Sequence, residues 1–283
     1  MDFLQFAQAH GLYINNFKDS GKWERCSTSD KPRHQNGSYL FKIHNGQPIG
    51  ILRNWATMTE SAVWFADKEN GIKQYQSLKQ ELKNNDDQIA NETASKAAWM
   101  ISKSTPSEHD YFHLKGHPEH QVLTMDRNGT KLALLPMRID NKISSLQIIG
   151  WDKDDRQWRK TFLKGGKVSG AVFTIGKGYP ILCEGYATGL SIAHSIRKAN
   201  VPCRVIVCYS AQNMKKISKT IEQGLVVADN DKSLTGENIA KEIGFPYWVS
   251  KTQGFDFNDE HLETSDFKMM LAIKDLYNRR VHV

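Results

Sequence analysis

The sequence predicts an α/β protein whose parallel sheet, flanked by helices, follows a small α+β subdomain and an N-terminal α+β module joined to it by a helical connector. Three observations predict this class. After Gly178, short apolar runs alternate with helical stretches, which is typical of βαβ units. Before Gly178, tight-turn signals separate strand-like segments. The 283-residue chain is 39% hydrophobic, enough for the packed cores of about two domains.

The first segment, residues 1–65, is predicted to be the N-terminal α+β module. A short amphipathic helix is followed by GSYLFKIHNGQPIGILRNWAT, residues 37–57, whose alternation and NG turn signal indicate a small antiparallel sheet. We expect three tryptophans to form its core: Trp23, Trp55 and Trp64. Six basic residues make the module a candidate DNA-binding surface or an ordinary solvated face: Lys22, Arg25, Lys31, Arg33, His34 and Arg53.

Residues 66–104 form the predicted helical connector. The segment is polar, rich in Lys, Glu, Gln and Asn, and free of proline, which favours exposed helix. Its NNDDQ stretch, residues 84–88, predicts two helices or a hinge.

Residues 105–178 are predicted to be the small α+β subdomain. HDYFHLKGH predicts a short helix that ends at Gly116. Strands then follow one another through hairpin signals at RNGT and DNK. The parallel sheet is expected within residues 179–262, with strands at PILCE, RVIVCYS, LVVAD and PYWVS, and residues 263–283 predict an amphipathic C-terminal helix.

Acidic residues follow the strands of the predicted parallel sheet. Glu184 ends the first strand, Asp229 and Asp231 end the third, and Asp256 and Asp259 follow the fourth. Because the carboxyl ends of parallel strands meet at one crevice, we expect these groups to converge. Clustered carboxylates repel one another, and a divalent cation such as Mg²⁺ relieves the repulsion. The plainer alternative is a helix-start glutamate and a loop-capping Asp-x-Asp.

Basic residues precede the parallel sheet in RKTFLKGGK, residues 159–167. Arg159, Lys160, Lys164 and Lys167 could act as point charges for phosphates, beside a glycine pair that lets backbone amides approach; an ordinary basic hairpin is the alternative. Asn213 begins a helix beside the crevice, where it could touch a phosphate, although capping by Ser210 alone also fits.

Composition narrows the function classes. The net charge of +7 favours a polyanionic partner such as nucleic acid. The four cysteines form no CxxC pair, which argues against a zinc ribbon and fits a reducing cytosol. The N-terminus does not have the pattern of a signal peptide, and no apolar run reaches membrane-spanning length. GAVFTIGK, residues 170–177, departs from the phosphate-loop motif in spacing and ending, so we expect no motor here.

The acidic motifs resemble a known family. Two acidic motifs resemble those of the Toprim domain, which occurs in DnaG-type primases, topoisomerases and some nucleases. The first motif is Glu184-Gly185 and the second is Asp229-Asn230-Asp231. A narrower resemblance is to the TraC-type primases of conjugative plasmids and the alpha-type primases of satellite phages. It rests on three stretches of this sequence: EGYATG, ADNDKSLTGENIA and GFDFNDEH. The resemblance covers residues 108–262, and it predicts a Toprim-type sheet at 179–262.

The resemblance implies a DNA primase, a DNA-directed RNA polymerase that makes short RNA primers on single-stranded DNA for phage or plasmid replication. It implies catalytic roles for Glu184, Asp229 and Asp231, and Mg²⁺ or Mn²⁺ rather than zinc, held by these three with Asp259 and Asp256. Arg159, Lys160, Lys164 and Lys167 would hold nucleotide and template. The expected partners are NTPs, a single-stranded DNA template and a separate replicative helicase, in the cytoplasm of a bacterial host and away from membranes. A Toprim nuclease and a non-catalytic replisome adaptor are the alternatives.

Overall fold

The structure, a computed structural model, describes residues 1–282. It divides into two compact units, Met1–Asp87 and the remainder of the chain from Gln88. The predicted fold class is confirmed: the chain is a mixed α/β protein with antiparallel sheets first and a largely parallel sheet last. No helix within residues 1–282 is long and apolar enough to cross a membrane.

The first unit is an antiparallel sheet with a helix on each face. Helix α1 is Phe3–Ala9, and the strands in spatial order are β1 (Leu12–Tyr13), β2 (Glu24–Thr28), β3 (Gly37–His44), β4 (Gln47–Asn54) and β5 (Ala62–Phe65). Phe3 of α1 packs onto Gly50, where a Cβ would overlap its ring. On the other face, Leu40, Ile49 and Ile51 pack against Leu78 of the following helix.

Our prediction of a tryptophan core in this unit is wrong for two of its three members. Trp23 and Trp55 are 49% and 50% exposed. Trp64 alone packs against the core under α1, partly buried. Other aromatic residues, among them Phe3, Tyr39 and Phe41, form this core with Leu12 and Leu52, and the other two indoles lie outside it.

One helix, α2 (Lys68–Ser102), runs through the predicted connector. The expected break at NNDDQ is wrong, since the helix is continuous for 35 residues. Asparagine and aspartate cost only about 0.7 kcal/mol each in a helix, and no proline interrupts the stretch. The boundary between the two compact units falls within NNDDQ, after Asp87.

The second unit contains two sheets. The first is antiparallel, in the spatial order β10 (Gln157–Phe162), β9 (Lys142–Asp152), β8 (Thr130–Ile139), β7 (Val122–Arg127) and β6 (Thr105–Ser107). A short helix, α3 (Asp110–Leu114), lies between β6 and β7 in the chain. Ala97 and Met100 of α2 pack with Leu134 and Leu146 of this sheet.

The second sheet of this unit is the predicted parallel sheet. Its spatial order is β11 (Phe173–Gly176), β13 (Cys203–Val207), β12 (Tyr179–Cys183), β14 (Leu225–Ala228) and β15 (Tyr247–Val249). All pairs are parallel except that of β11 with β13. Helices flank it: α4 (Tyr186–Ala199), α5 (Ala211–Ser218), α6 (Thr235–Ile243), α7 (Phe257–Glu263) and α8 (Asp266–Asn278).

Alternate residues of the central strands serve opposite layers. Ile181 and Cys183 belong to the core with α4 and α8, whereas Leu182 belongs to the core with α5 and α6. Strands buried on both faces explain why each reads as a continuous apolar run. The polar side chains of the predicted crevice follow the carboxyl ends of these central strands.

Candidate metal-dependent active site

Four carboxylates gather at the carboxyl ends of the parallel strands, and we call them the acidic crevice: Glu184, Asp229, Asp231 and Asp256. Glu184 directly follows β12, Asp229 directly follows the neighbouring β14, and Asp256 caps α7 after β15. Their mutual influence is visible in the pKa of Asp229, which Glu184, Asp256 and Asp231 all raise. Like charges from separate segments therefore face one point, as the strand ends predict.

Asp229 has the most strongly shifted pKa of the four crevice carboxylates. Burial, then the neighbouring Glu184 and Asp256, raises its pKa from 3.8 to about 8. Its Oδ1 is buried without a hydrogen-bond partner. A buried carboxylate oxygen with no donor is costly in a folded protein, and such groups concentrate at functional sites.

Helix α6 packs closely against the backbone of Asp229. A Cβ on Gly236, in the first turn of α6, would overlap the carbonyl oxygen of Asp229 and lie 3.1 Å from its nitrogen. Glycine is thus required where the helix crosses the strand end. The close approach fixes the backbone from which Asp229 projects.

Glu184 is half-buried and also perturbed. Burial raises its pKa, the backbone N–H of Ala211 lowers it, and Asp231 and Asp256 raise it. Its carbonyl oxygen accepts a hydrogen bond from the N–H of Tyr209 at 2.8 Å. Tyr209 has φ +67°, a left-handed conformation that is uncommon outside glycine. Local strain therefore accompanies the alignment of the two strand ends.

Asp231 anchors the loop that leads into α6. Its Oδ1 accepts hydrogen bonds from the Ser233 hydroxyl at 2.8 Å and from the N–H of Thr235 at 3.0 Å. Both bonds fall on one oxygen of the carboxylate. These bonds orient the carboxylate through Oδ1, and Oδ2 accepts none of them, which suits a residue that shares a ligand with Asp229.

Two aspartates of the FDFNDE motif have different surroundings. Asp256 accepts hydrogen bonds from the Thr188 hydroxyl at 3.0 Å and the N–H of Asp259 at 2.9 Å, and it raises the pKa values of Glu184 and Asp229. Asp259 places Oδ1 2.9 Å from Lys115 Nζ and accepts from the Asp256 N–H at 3.2 Å through Oδ2. Both residues therefore accept hydrogen bonds on both oxygens, and they differ in charge environment: Asp256 acts on Glu184 and Asp229 and belongs to the crevice, whereas Asp259 is paired with Lys115.

Gly185, which follows Glu184, serves the site by its small size. It has the ordinary extended values φ −91° and ψ 149°, so no special backbone conformation requires glycine there. A Cβ would instead lie 3.1 Å from the Thr188 hydroxyl, which holds Asp256. The small residue keeps space for that hydroxyl.

The acidic crevice fits a divalent cation of the Mg²⁺ type. The oxygens are hard ligands, Asp229 Oδ1 has no partner, and the four carboxylates are mutually repulsive. Within residues 1–282, only His194, His261 and Asp266 bring three metal-ligand atoms within 4.8 Å of one another, so the carboxylates are less tightly drawn together than that. Mg²⁺ usually takes one or two carboxylates and keeps several waters, which such a spacing allows.

Lys160 is the basic residue that the structure brings to the crevice. It lowers the pKa of Asp229, and its Nζ lies 5.2 Å from the ring centroid of Tyr111. Lys164 and Lys167 are exposed on the following loop. Lys167 lines a cleft of about 810 Å³ together with Arg138 and Lys216.

Two of the residues predicted to bind phosphate instead form bonds with other parts of the protein. Arg159 forms ion pairs with Asp152 and Asp155 in the β9–β10 hairpin, which holds its guanidinium away from a ligand. Asn213 is 8% exposed; its amide donates to the carbonyls of Ala171 and Cys208, and its Oδ1 accepts from Gly170. Every donor of Asn213 is used, so the predicted contact with a phosphate is corrected to a structural role.

Sequence reasoning missed two residues that support the site. Lys115 compensates Asp259, and Thr188 positions Asp256. Thr188 lies within EGYATG, so the motif carried the signal, but its partner lies 68 positions later in the chain. Lys115 is one cation among many in the sequence and gave no signal of its own.

The matched family agrees with this geometry. Residues 179–266 match the Toprim domain. The match begins at β12, ends at the start of α8 and includes all four carboxylates of the crevice. The predicted Toprim domain is thereby confirmed within residues 179–266. Toprim domains bind Mg²⁺ and occur in primases and nucleases alike. Searches of curated proteins and of solved structures gave no significant match.

Proposed function

We propose that this chain is a DNA primase that makes short RNA primers on single-stranded DNA by metal-dependent nucleotidyl transfer, for phage or plasmid replication. The observation that carries the proposal is Asp229, a half-buried residue whose carboxylate has a buried, unpartnered oxygen and lies among three other acids and one lysine. Such a site is built to concentrate cations, and cations are what triphosphate chemistry needs.

Each crevice residue has a role in this proposal. Asp229, Asp231 and Asp256 hold the Mg²⁺ or Mn²⁺ ions, which when bound neutralise the triphosphate and lower the pKa of the attacking hydroxyl. Glu184 acts near the primer 3′-hydroxyl as a further ligand or as the base that accepts its proton; its raised pKa suits a base. The 3′-oxygen then bonds to the α-phosphorus, the bond to the β-phosphate oxygen breaks, and pyrophosphate leaves.

Other residues position the reactants. Lys160 provides positive charge beside Asp229 for the incoming NTP, and Lys164 and Lys167 are exposed for phosphates of the nucleotide or the template. Asp259 and Thr188 orient Asp256 through hydrogen bonds. A separate replicative helicase would supply the single-stranded template in the bacterial cytoplasm.

A priming assay tests the proposal. Full-length protein is incubated with circular single-stranded DNA, labelled NTPs and Mg²⁺ or Mn²⁺, and we expect short labelled oligoribonucleotides. Asp229→Asn and Glu184→Gln should reduce the yield at least about 100-fold, as losses of metal ligands and bases do. Glu222→Gln, an exposed acid outside the crevice, is the matched control and should retain activity.

Two results would overturn the proposal. Cleavage of the DNA without NTPs, abolished by the same two variants, would identify a Toprim nuclease that uses water as nucleophile. Absence of both reactions, with an unaltered replicon phenotype for Asp229→Asn, would identify a non-catalytic adaptor.

A further inference from the structure

A second site lies on the first unit, which the Toprim match does not cover. Two exposed tryptophans and two arginines surround a groove of about 370 Å³, lined by Trp23, Arg25, Ser38, Arg53, Trp55 and Ser61. We call these six residues the Trp–Arg face. The lining includes two cations and no carboxylate.

The face is built by strand register. Arg25 on β2 pairs with Ser38 on β3, which pairs with Arg53 on β4, so the three side chains lie on one side of the sheet. On the same side, Ile49 and Ile51 are covered by Leu78 of α2. The helix therefore covers one end of this sheet face, and the Trp–Arg face is the uncovered end.

The aromatic ring at the centre is fixed and ready to stack. The Trp55 indole N–H donates to the Ser38 hydroxyl at 3.0 Å, and 50% of the residue remains exposed. The Arg53 and Arg25 guanidinium carbons lie 4.2 Å and 5.7 Å from the ring centroid. Both guanidinium groups lie over the ring as cation–π contacts, so the exposed part of an indole whose N–H is satisfied stands directly beside positive charge.

The arginines have unused capacity. Arg53 donates through Nη2 to the carbonyl oxygen of Thr59 at 2.9 Å, while its buried Nε has no partner. Among residues 1–282, no ion pair engages Arg25 or Arg53. Guanidinium groups without carboxylate partners beside an open groove suit an anionic ligand.

We propose that the Trp–Arg face binds single-stranded DNA, with unpaired bases stacked on Trp55 and Trp23 and the phosphates held by Arg53 and Arg25. Bases provide the flat π-faces that exposed indoles stack on, and the backbone provides the anions. A cationic ligand is excluded by the two arginines, and a duplex would hide its base faces. The inference rests on the proposed function only in naming DNA as the single-stranded nucleic acid that binds.

Binding is measured without the chemistry of the acidic crevice. The full-length chain is titrated into a fluorescein-labelled oligo-dT of about 15 nucleotides, in EDTA and without NTPs, and fluorescence anisotropy gives Kd. Trp55→Ala should weaken binding roughly 5- to 150-fold, the range for one stacked base. Trp23→Ala, which lies outside both cores of the unit, should weaken it in the same direction and guards against misfolding of Trp55→Ala.

Two comparisons separate stacking from charge. Arg53→Ala should reduce the slope of log K against log salt by about 0.7, the value for one phosphate contact on a single strand, whereas Trp55→Ala should leave the slope unchanged. An abasic oligomer of equal length has no base for either tryptophan, so it should bind the wild type at least as weakly as oligo-dT binds Trp55→Ala. Trp99→Ala, at an exposed tryptophan of α2, and Arg127→Ala, at an exposed arginine of β7, are the matched controls and should bind like the wild type.

The proposal is wrong if Trp55→Ala and Trp23→Ala, both folded by circular dichroism, bind oligo-dT like the wild type, or if the abasic oligomer binds equally well. Its failure is separate from failure of the proposed function. If Asp229→Asn abolishes priming and Trp55→Ala still weakens DNA binding, the results support both the proposed function and the Trp–Arg face. Oligo-dT binding that depends on Trp55 in a chain that makes no primers supports the Trp–Arg face alone.

Discussion

The surroundings of Asp229 oppose its ionised form. Burial and the neighbouring Glu184 and Asp256 favour the neutral form, while Lys160 partly favours the anion. Between pH 3.8 and about 8 the folded chain therefore binds this proton more tightly than the unfolded chain does. The metal-free protein loses stability as pH rises through that window, and the loss is complete above pH 8.

The substitution Asp229→Asn should remove that loss. The amide is isosteric and neutral, and it can donate to the neighbouring carboxylates. We expect the metal-free variant to be more stable than the wild type at pH 8 by about 1–2 kcal/mol, or roughly 2–8 °C in Tm, and about equal at pH 4. Thermal unfolding in EDTA across this pH range measures the difference.

Metal ions should reverse the order. Added Mn²⁺ should raise the Tm of the wild type at pH 8 and leave that of Asp229→Asn unchanged, since only a carboxylate there binds the ion tightly. A metal-free Asp229→Asn protein that is no more stable than the wild type at pH 8 would contradict the charge conflict at this site.

The residues of the site differ in how far sequence could predict them. Glu184, Asp229 and Asp231 were predictable because they end apolar strands, and strand ends converge in a parallel sheet. Asn213 and Arg159 were not, because their commitment depends on partners in other segments: the carbonyl of Ala171 for one, and Asp152 for the other. A polar residue near a site binds a ligand only if the fold leaves it unpaired, and sequence does not show that.

At the scale of elements, the strands and helices of the parallel sheet were the most predictable. The central strands β12, β13 and β14 are largely buried on both faces, so their apolar runs are nearly continuous. Each helix begins or ends with an ordinary signal, such as the Ser210 cap of α5. The break expected in α2 was wrong because polar residues lower helix propensity without preventing a helix. The prediction that Trp23 and Trp55 are buried was wrong for another reason, because the burial of a side chain depends on which other residues fill the core.

Helix α6 and strand β14 meet at Gly236, and this contact should decide the position of Asp229. In an ordinary helix, glycine to alanine adds about 1 kcal/mol of stability. Here the added methyl group would overlap the backbone of Asp229, which cannot rotate away as a side chain can. We therefore expect Gly236→Ala to lower the unfolding free energy by about 1–3 kcal/mol.

The same substitution should damage the site more than the fold. Displacement of Asp229 should weaken Mn²⁺ binding by isothermal titration calorimetry at least about tenfold and reduce primer synthesis accordingly. Asn238→Ala, at an exposed position of α6, is the control and should leave both unchanged. Stabilisation by Gly236→Ala, the ordinary helical result, would show that the close contact is absent in solution.

The whole molecule combines an overall positive charge with one strongly acidic centre. The net charge of +7 favours polyanions, but the four carboxylates of the acidic crevice repel them until cations bind. Nucleic acid and metal should therefore depend on each other within the Toprim domain. The Trp–Arg face has no acid in its lining, so DNA binding there should be independent of metal.

Hydrogen exchange measured by mass spectrometry can separate these two responses along the chain. Each compact unit has its own cores, and a ligand slows exchange in the unit that it stabilises. With Mn²⁺ at about ten times its Kd, we expect roughly tenfold slower exchange for the most protected amides of residues 179–262 and no change in residues 20–60. Oligo-dT in EDTA should slow exchange in residues 20–60.

Glu222→Gln is the control for the metal response and Trp99→Ala for the DNA response. If Mn²⁺ protects the first unit as strongly as the second, the two units unfold as one, and the separate sites cannot be assigned to separate cooperative units.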